Sequence, residues 1–370
     1  MSKPEAILFG PLPPPVGGVA VFMSRLKAPV LARGGTVWAY SGGTNDRDVI
    51  QIDHRRLGHI QRLISQGRNS RITDSTHFHI EHPHWLLAPL WLLLKPVRGI
   101  TWIKVLHDGT LPDRSRRFGV LKRFLFQRAV RAVDEFVVVS KPLADWLRDD
   151  LHVKVPIRTI PALLPLGDDE TAVTRLSDPA AVEVFANARG HAHLVCGVGT
   201  FAPEYGFLQM AEGVERARQS TGLDIALILI DGGLASAPDF HKSVVDNRDW
   251  IYTLTHVPFN EMQTIYKRSD AYIRGFAGEG YGLSRIEALW SGTPVIAAIA
   301  TEERGMFSYR FDDVDALAAH VEAVLAGAHI DDADRWAAEF RADAERYLRE
   351  HLESIFGKPI DRESVSNTGV

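Results

Sequence analysis

Two carboxylates eight residues apart, Glu279 and Glu287, flank a glycine-rich turn in the stretch AYIRGFAGEGYGLSRIEALWSGTPVIAA, residues 271–298. Ionised carboxylates accept hydrogen bonds from neighbouring hydroxyls, the groups that sugars and riboses present in pairs. Between them, Gly280-Tyr281-Gly282-Leu283 brings backbone with little side-chain cover into the turn, so N–H groups can approach a diphosphate closely. The helix expected to begin near Ser284 would point its positive end at the same charge. Arg274 closes the apolar run before the turn, where a guanidinium would meet phosphate oxygens. The plain alternatives are a surface arginine, a loop carboxylate and a solvated helix glutamate.

Three other places carry groups that could act. The loop GPLPPPVGGVAVFMSRL ends in Gly17 and Gly18 at the head of a helical pattern, again suited to close approach by phosphate or acceptor. His107 and Asp108 follow the strand-like run TWIKVL, and an imidazole there could hydrogen-bond an anion or a hydroxyl; a satisfied buried histidine is the competing reading. His77, His79, His82 and His84 gather around Glu81, but Pro83 and the loop break any fixed ligand geometry, so no metal is expected. The single cysteine, Cys196, lies in an apolar run and excludes an internal disulfide.

The elements that must position these residues alternate in kind. Strands are read at 5–10, 35–41, 77–80, 101–106, 135–139 and 157–160, with helices at 19–31, 57–68, 85–94, 118–133 and 140–149 between them. In the last of these, Ser140 is placed as N-cap and Pro142 in the first turn. A proline-rich acidic stretch at 161–170 reads as a linker. The alternation then restarts with strands at 193–197, 225–230, 250–255, 271–274 and 293–298. Helices are read at 207–219, 260–268, from 284, at 317–325 and at 334–355. Such alternation means parallel sheets covered by helices on both faces, with ligands at the C-terminal strand ends. The expected organisation is a first domain over 1–165, a second over 166–333, and a C-terminal helical segment over 334–370 that returns to the first, the two α/β domains facing across a cleft.

The 271–298 stretch resembles the donor-binding signature of the retaining glycosyltransferases called group 1 or family 4, and its Tyr-Ile-Arg is similar to bacterial capsule and exopolysaccharide transferases. The N-terminal glycine loop is similar to theirs as well. The resemblance implies a GT-B type fold of two Rossmann-like domains, the first binding acceptor and the second a nucleotide sugar. It implies that Glu279 holds hydroxyls of the transferred sugar, Glu287 those of the ribose, and that His107 faces the donor sugar or its phosphate. It further implies hexosyl transfer with retention, in polysaccharide or glycoconjugate synthesis, without metal or other cofactor. One departure stands out. Where the family carries an arginine and a lysine in the first turn of its second domain, VGTFAPEYGF places Thr200 and Tyr205. That departure keeps open a catalytically idle sugar- or nucleotide-binding protein, and the architecture keeps open a nucleotide-sugar epimerase. Gly197, Gly199 and Ala202 with Asp231 also spell a dinucleotide fingerprint on paper, although Pro203 and Glu204 stand where its helix should start.

Composition bounds the partners. Over 370 residues the net charge is −4, but residues 1–165 hold 24 of the 42 lysines and arginines against 13 of the 46 acids. A basic first half suits an anionic partner, membrane lipid or a phosphate-bearing acceptor, saccharide or lipid-linked. No nucleic-acid motif accompanies it. Seven cations in 114–131 (Arg114, Arg116, Arg117, Lys122, Arg123, Arg128, Arg131) alternate with Phe118, Leu121, Phe124 and Leu125, a pattern that suggests peripheral contact with an anionic membrane or else a solvated helix face. Residues 1–5 show no leader pattern and the most apolar run, 85–94, is too short to cross a bilayer. The expectation is a cytoplasmic protein, peripheral at most to the inner face of the membrane.

Overall fold

Strands buried on both faces of a parallel sheet need near-continuous apolar runs. In the computed structural model, which describes residues 5–14, 17–40, 46–52, 69–76, 99–232, 238–276, 278, 280–298, 304–330 and 333–359, those runs form two such sheets. The first contains β1 (Ala6–Gly10), β2 (Thr36–Ala39), β3 (Val49–Gln51), β4 (Arg71–Asp74), β5 (Thr101–Leu106), β6 (Glu135–Val138) and β7 (Ile157–Thr159), in the order β3-β2-β1-β4-β5-β6-β7. The second contains β8 (His193–Gly199), β9 (Ile225–Asp231), β10 (Ile251–Thr255), β11 (Ala271–Arg274), β12 (Val295–Ala298) and β13 (Phe307–Tyr309), in the order β10-β9-β8-β11-β12-β13. Every pairing among the described residues is parallel, with Ile7 opposite Thr36 and Ile72, and Val195 opposite Leu227 and Ala271.

Helices connect the strands as parallel pairing requires. They are α1 (Gly18–Ala32), α2 (Leu111–Arg116), α3 (Val120–Ala132), α4 (Lys141–Asp149), α5 (Asp168–Ala172), α6 (Pro179–Ala188), α7 (Phe207–Thr221), α8 (Pro238–Val245), α9 (Met262–Tyr266), α10 (Leu283–Trp290), α11 (Val314–Leu325) and α12 (Ala333–Phe356). The chain is an α/β fold of two doubly wound units. The described residues of Met1–Pro14, Gly18–Pro165 and Ala344–Val370 make one unit, and those of Pro15–Gly17 and Leu166–Asp343 the other.

Helix α12 contributes residues to both. Its first part gives Ala337 and Phe340 to the second unit, where Trp290 Nε1 donates to the Ala337 carbonyl at 3.1 Å. Its last part buries Leu348, Leu352, Ile355 and Phe356 in the first unit, where Arg71 donates to the Ser354 carbonyl at 2.9 Å.

Most expected elements form within two residues of their expected ends. Strand β4 falls at Arg71–Asp74, where no strand was read, because RITD carries two charged ends and shows no alternation. The strand expected at 77–80 and the helices at 57–68 and 85–94 lie outside the described residues. The three-residue strands β3 and β13, and the helices α6 and α8, are further elements that the pattern did not announce. The 260–268 helix is shorter than expected, a 3₁₀ turn Phe259–Glu261 leading into α9. Ser140 holds the N-cap position of α4 in extended conformation, yet its side chain makes no cap bond, so Pro142 in the first turn carries the start of that helix.

Candidate functional site

In a doubly wound sheet, ligands gather where strand order reverses. In the second unit that point lies between β8 and β11, whose C-terminal ends lead into residues 200–206 and 275–276. Two glycines bring these segments into contact. A Cβ on Gly206, whose φ is +70°, would come within 2.9 Å of the Gly275 carbonyl oxygen, and one on Gly275 within 3.0 Å of the Gly206 Cα. The chain needs glycine at both positions because the two backbones touch.

Directly beside that contact, Tyr205 and Phe276 stack with ring centroids 4.7 Å apart and planes 14° from parallel. The Arg274 guanidinium lies 5.8 Å from the Tyr205 centroid and 5.6 Å from that of Phe276, within cation–π range, and donates from Nη1 to the Val198 carbonyl. The arginine is half-buried. Tyr205, at the position where a lysine was expected, thus positions another cation.

Past Gly280, which is buried, Gly282 takes φ 76° and ψ 55° as the residue before α10, a left-handed conformation that suits glycine. No side chain caps α10, and the Arg285 N–H turns back to the Gly282 carbonyl at 3.2 Å, so the N–H groups of Leu283 and Ser284 are the ones a ligand can meet. Leu283 opens the helix, Tyr281 is buried at 8% exposure with its carbonyl accepting from Arg285 Nη2 at 2.7 Å, and Ser284 Oγ bonds Tyr272 Oη at 2.7 Å. Arg285 is 1% exposed, which turns it inward and removes it as a surface cation for a phosphate. Glu287 is half-buried one turn further along. The charges of Glu287 and Arg274 meet at buried Tyr266, whose hydroxyl pKa is pushed well up by burial first, then by Tyr272 and Glu287, with Arg274 opposing. Glu279 lies outside the described residues.

The paper fingerprint at Gly197 and Gly199 has a packing explanation. A Cβ on Gly197 would come within 2.6 Å of Met210 Sδ, and one on Gly199 within 3.1 Å of Phe207 and Tyr205. The 3₁₀ turn Pro203–Tyr205 occupies the position of the dinucleotide-binding helix start, and α7 begins only at Phe207. Cys196 is fully buried and its thiol is pushed up to about 12 by burial, which leaves it inert.

In the first unit the order reverses between β1 and β4. Gly17 leads into α1 from the β1 end and Gly18 is its first residue; a Cβ on Gly18 would meet nothing within 4 Å, so packing does not demand glycine there. His107 follows β5, half-buried, with its ring edge-to-face on Phe22 at 4.7 Å. Phe22 also meets His351 of α12 edge-to-face at 4.9 Å. Asp108 is tied into its own loop, accepting from Thr110 Oγ1 at 2.6 Å and pairing with Arg114 at 2.9 Å. The histidine cluster at 77–84 lies outside the described residues.

No protein-family model and no curated protein sequence matches the chain. Solved structures match over nearly all of it. A glycosyltransferase from Rickettsia africae ESF-5 superimposes with TM-score 0.67 at 15% identity, covering 98% of this chain and 99% of that one. The sucrose-phosphate synthase of Thermosynechococcus elongatus gives 0.65 at 16%, over 97% and 96%. A UDP-forming α,α-trehalose-phosphate synthase from Burkholderia xenovorans, in complex with glucose-6-phosphate, gives 0.66 at 13%, over 95% and 97%. The chain has the GT-B fold.

Within this GT-B chain, sequence reasoning passed over two sets of groups. One is the buried pair at the first switch point, where Lys104 Nζ lies 3.0 Å from Asp74 Oδ2 and donates to the Thr76 carbonyl at 2.6 Å and its hydroxyl at 2.9 Å. Burial lowers the Lys104 pKa, with Asp74 opposing. The signal was a lysine in the middle of TWIKVL, which costs too much to bury without a partner. The other is the Tyr205–Phe276 stack, for which a separation of 71 positions leaves no local signal.

Proposed function

We propose that this protein transfers a sugar, hexosyl in type, from a nucleotide-diphosphate sugar to a saccharide or lipid-linked acceptor, with retention at the anomeric carbon. The observation that carries the reading is Arg274. Its guanidinium is held at the second switch point by the Val198 carbonyl and an aromatic stack, beside a glycine turn that opens an uncapped helix. That arrangement supplies a cation and N–H donors where a leaving diphosphate gathers charge, and such preorganised stabilisation is the main task in glycosyl transfer. Glu287 then accepts from ribose hydroxyls, Glu279 from the sugar, and His107 hydrogen-bonds donor sugar or phosphate from the acceptor-binding unit. No metal is invoked. Structures of the same fold include UDP-forming synthases and a pneumococcal O-GlcNAc transferase in complex with UDP and GlcNAc, which favours a UDP-sugar as the first donor to try.

Calorimetry with UDP, GDP and ADP and their sugars, followed by nucleotide release with and without acceptor, tests the proposal. Tight binding of one nucleoside diphosphate and acceptor-stimulated release are expected. Absence of binding to all of them would overturn it. The Thr200 and Tyr205 substitutions favour one second reading, a binding protein without transfer, for which binding without release is the signature.

A further inference from the structure

A bare apolar tip on a cationic helix is costly in water unless something covers it. Among the described residues four large hydrophobics are exposed, and three of them, Val120 at 89%, Leu121 at 64% and Phe124 at 57%, sit together in the first turns of α3. Spacings of one, three and four residues place them on one face of the helix. The helix itself is firmly seated. Phe118 and Phe126 turn inward, packing edge-to-face at 5.7 Å, and Phe126 stacks on Trp146 at 6.1 Å.

The charge around the tip has one sign. Residues 114–131 contain seven cations and no acid, in a chain whose net charge is −4. Two of the seven are neutralised, Arg114 by Asp108 at 2.9 Å and Arg116 by Asp113 at 3.1 Å and Asp150 at 3.4 Å. Arg117, Lys122, Arg123, Arg128 and Arg131 have no ion pair among the described residues.

We propose that the N-terminal end of α3 docks on an anionic lipid bilayer, Val120, Leu121 and Phe124 entering the headgroup region while the five cations that lack an ion pair meet lipid phosphates. The chemistry selects this occupant. Long aliphatic arms let lysine and arginine keep their charges at phosphate depth while apolar neighbours go deeper. A second copy of the chain would set the same cationic surface against itself. Each cation near an anionic surface raises partitioning about five-fold, and the three apolar side chains add a part that salt does not remove. The inference stands apart from the transfer reading, since it uses no residue of the donor site.

The full-length protein is sedimented with vesicles of phosphatidylcholine alone or mixed with phosphatidylglycerol. Because Cys196 is fully buried, Phe124→Cys can be labelled selectively with an environment-sensitive fluorophore. Binding to the anionic vesicles and not the neutral ones, with a blue shift of the label on binding, is expected. The triple variant V120S/L121S/F124S should lose at least ten-fold in binding while keeping nucleotide affinity and its circular dichroism. If that variant does not fold, the label readout alone decides. No binding, equal binding to both vesicles, binding without a blue shift, or a blue shift caused by self-association without lipid would each overturn the proposal.

Discussion

Arg274 owes its position to residues far away in sequence, so its role separates into charge and placement. Hydrogen bonds to charged groups contribute roughly 1.5–3 kcal/mol, and Arg274→Ala should therefore lower affinity for the cognate nucleoside diphosphate by about ten- to a hundred-fold. Affinity for the bare nucleoside should stay unchanged, because only the phosphates meet the guanidinium. Arg274→Lys should recover little of the loss, since an ammonium cannot stack flat against Tyr205 and Phe276. Calorimetry on the three proteins with nucleoside and nucleoside diphosphate checks this, and equal losses for both ligands would detach Arg274 from the phosphates. The arginine was legible because it ends an apolar strand before a glycine turn. Tyr205 was legible only as an absence, a missing lysine, since an aromatic in a loop announces no partner. Lys104 is legible as a buried cation in need of a partner, since it is the one charge in TWIKVL, but nothing near it in sequence names Asp74.

At the scale of elements, close backbone contact between two turns decides whether the site assembles. Gly206→Ala would force a Cβ into left-handed backbone at φ +70° and within 2.9 Å of the Gly275 oxygen. A loss of about 1–3 kcal/mol follows, read as a shift of the urea midpoint without change of slope. Gly18→Ala is the control, since its Cβ would stand in open space and φ there is not positive; its midpoint should stay or rise slightly. Matching losses in both would mean that the turn contact is not what glycine serves. The long strands β8 and β9 were readable because they are near-continuous apolar runs, and β5 because Lys104 alone interrupts its apolar core. The short edge strands β3 and β13 were not, because three residues carry too little pattern and take their conformation from the neighbour they pair with. The glycines at Gly197 and Gly199 show the opposite hazard, a motif whose spacing is met by internal packing.

For the whole molecule the telling element is α12, which the apolar period placed at 334–355 and which spans Ala333–Phe356. Its repeat is legible in sequence; which residues it meets is not, because Pro161, Phe22 and Arg71 lie nearly two hundred residues or more away. The helix carries a pH-sensitive contact at His351, 2% exposed, whose Nε2–H donates to the Pro161 carbonyl at 3.0 Å. Burial lowers its pKa from 6.5 to about 4, with the Pro161 bond opposing. A base whose folded pKa is depressed is held neutral by the fold, so its contribution is complete above pH 6.5, where both states are neutral. As pH falls from 6.5 toward about 4 the unfolded chain takes up the proton first, and stability on the order of 3 kcal/mol is lost. The depressed carboxyls Asp46, held down first by Lys27, and Asp224, held down first by His191, act below their ordinary value of 3.8, while Glu345, raised from 4.5 by burial first with Arg349 opposing, adds stability as pH falls toward 4.5 and does so equally with or without His351. His351→Gln keeps an N–H donor for Pro161 and removes the titration. Its urea midpoint should fall less steeply between pH 7 and 4.5 than that of the unaltered protein, and parallel slopes would mean that acid loosens this GT-B chain somewhere other than the seat of its last helix.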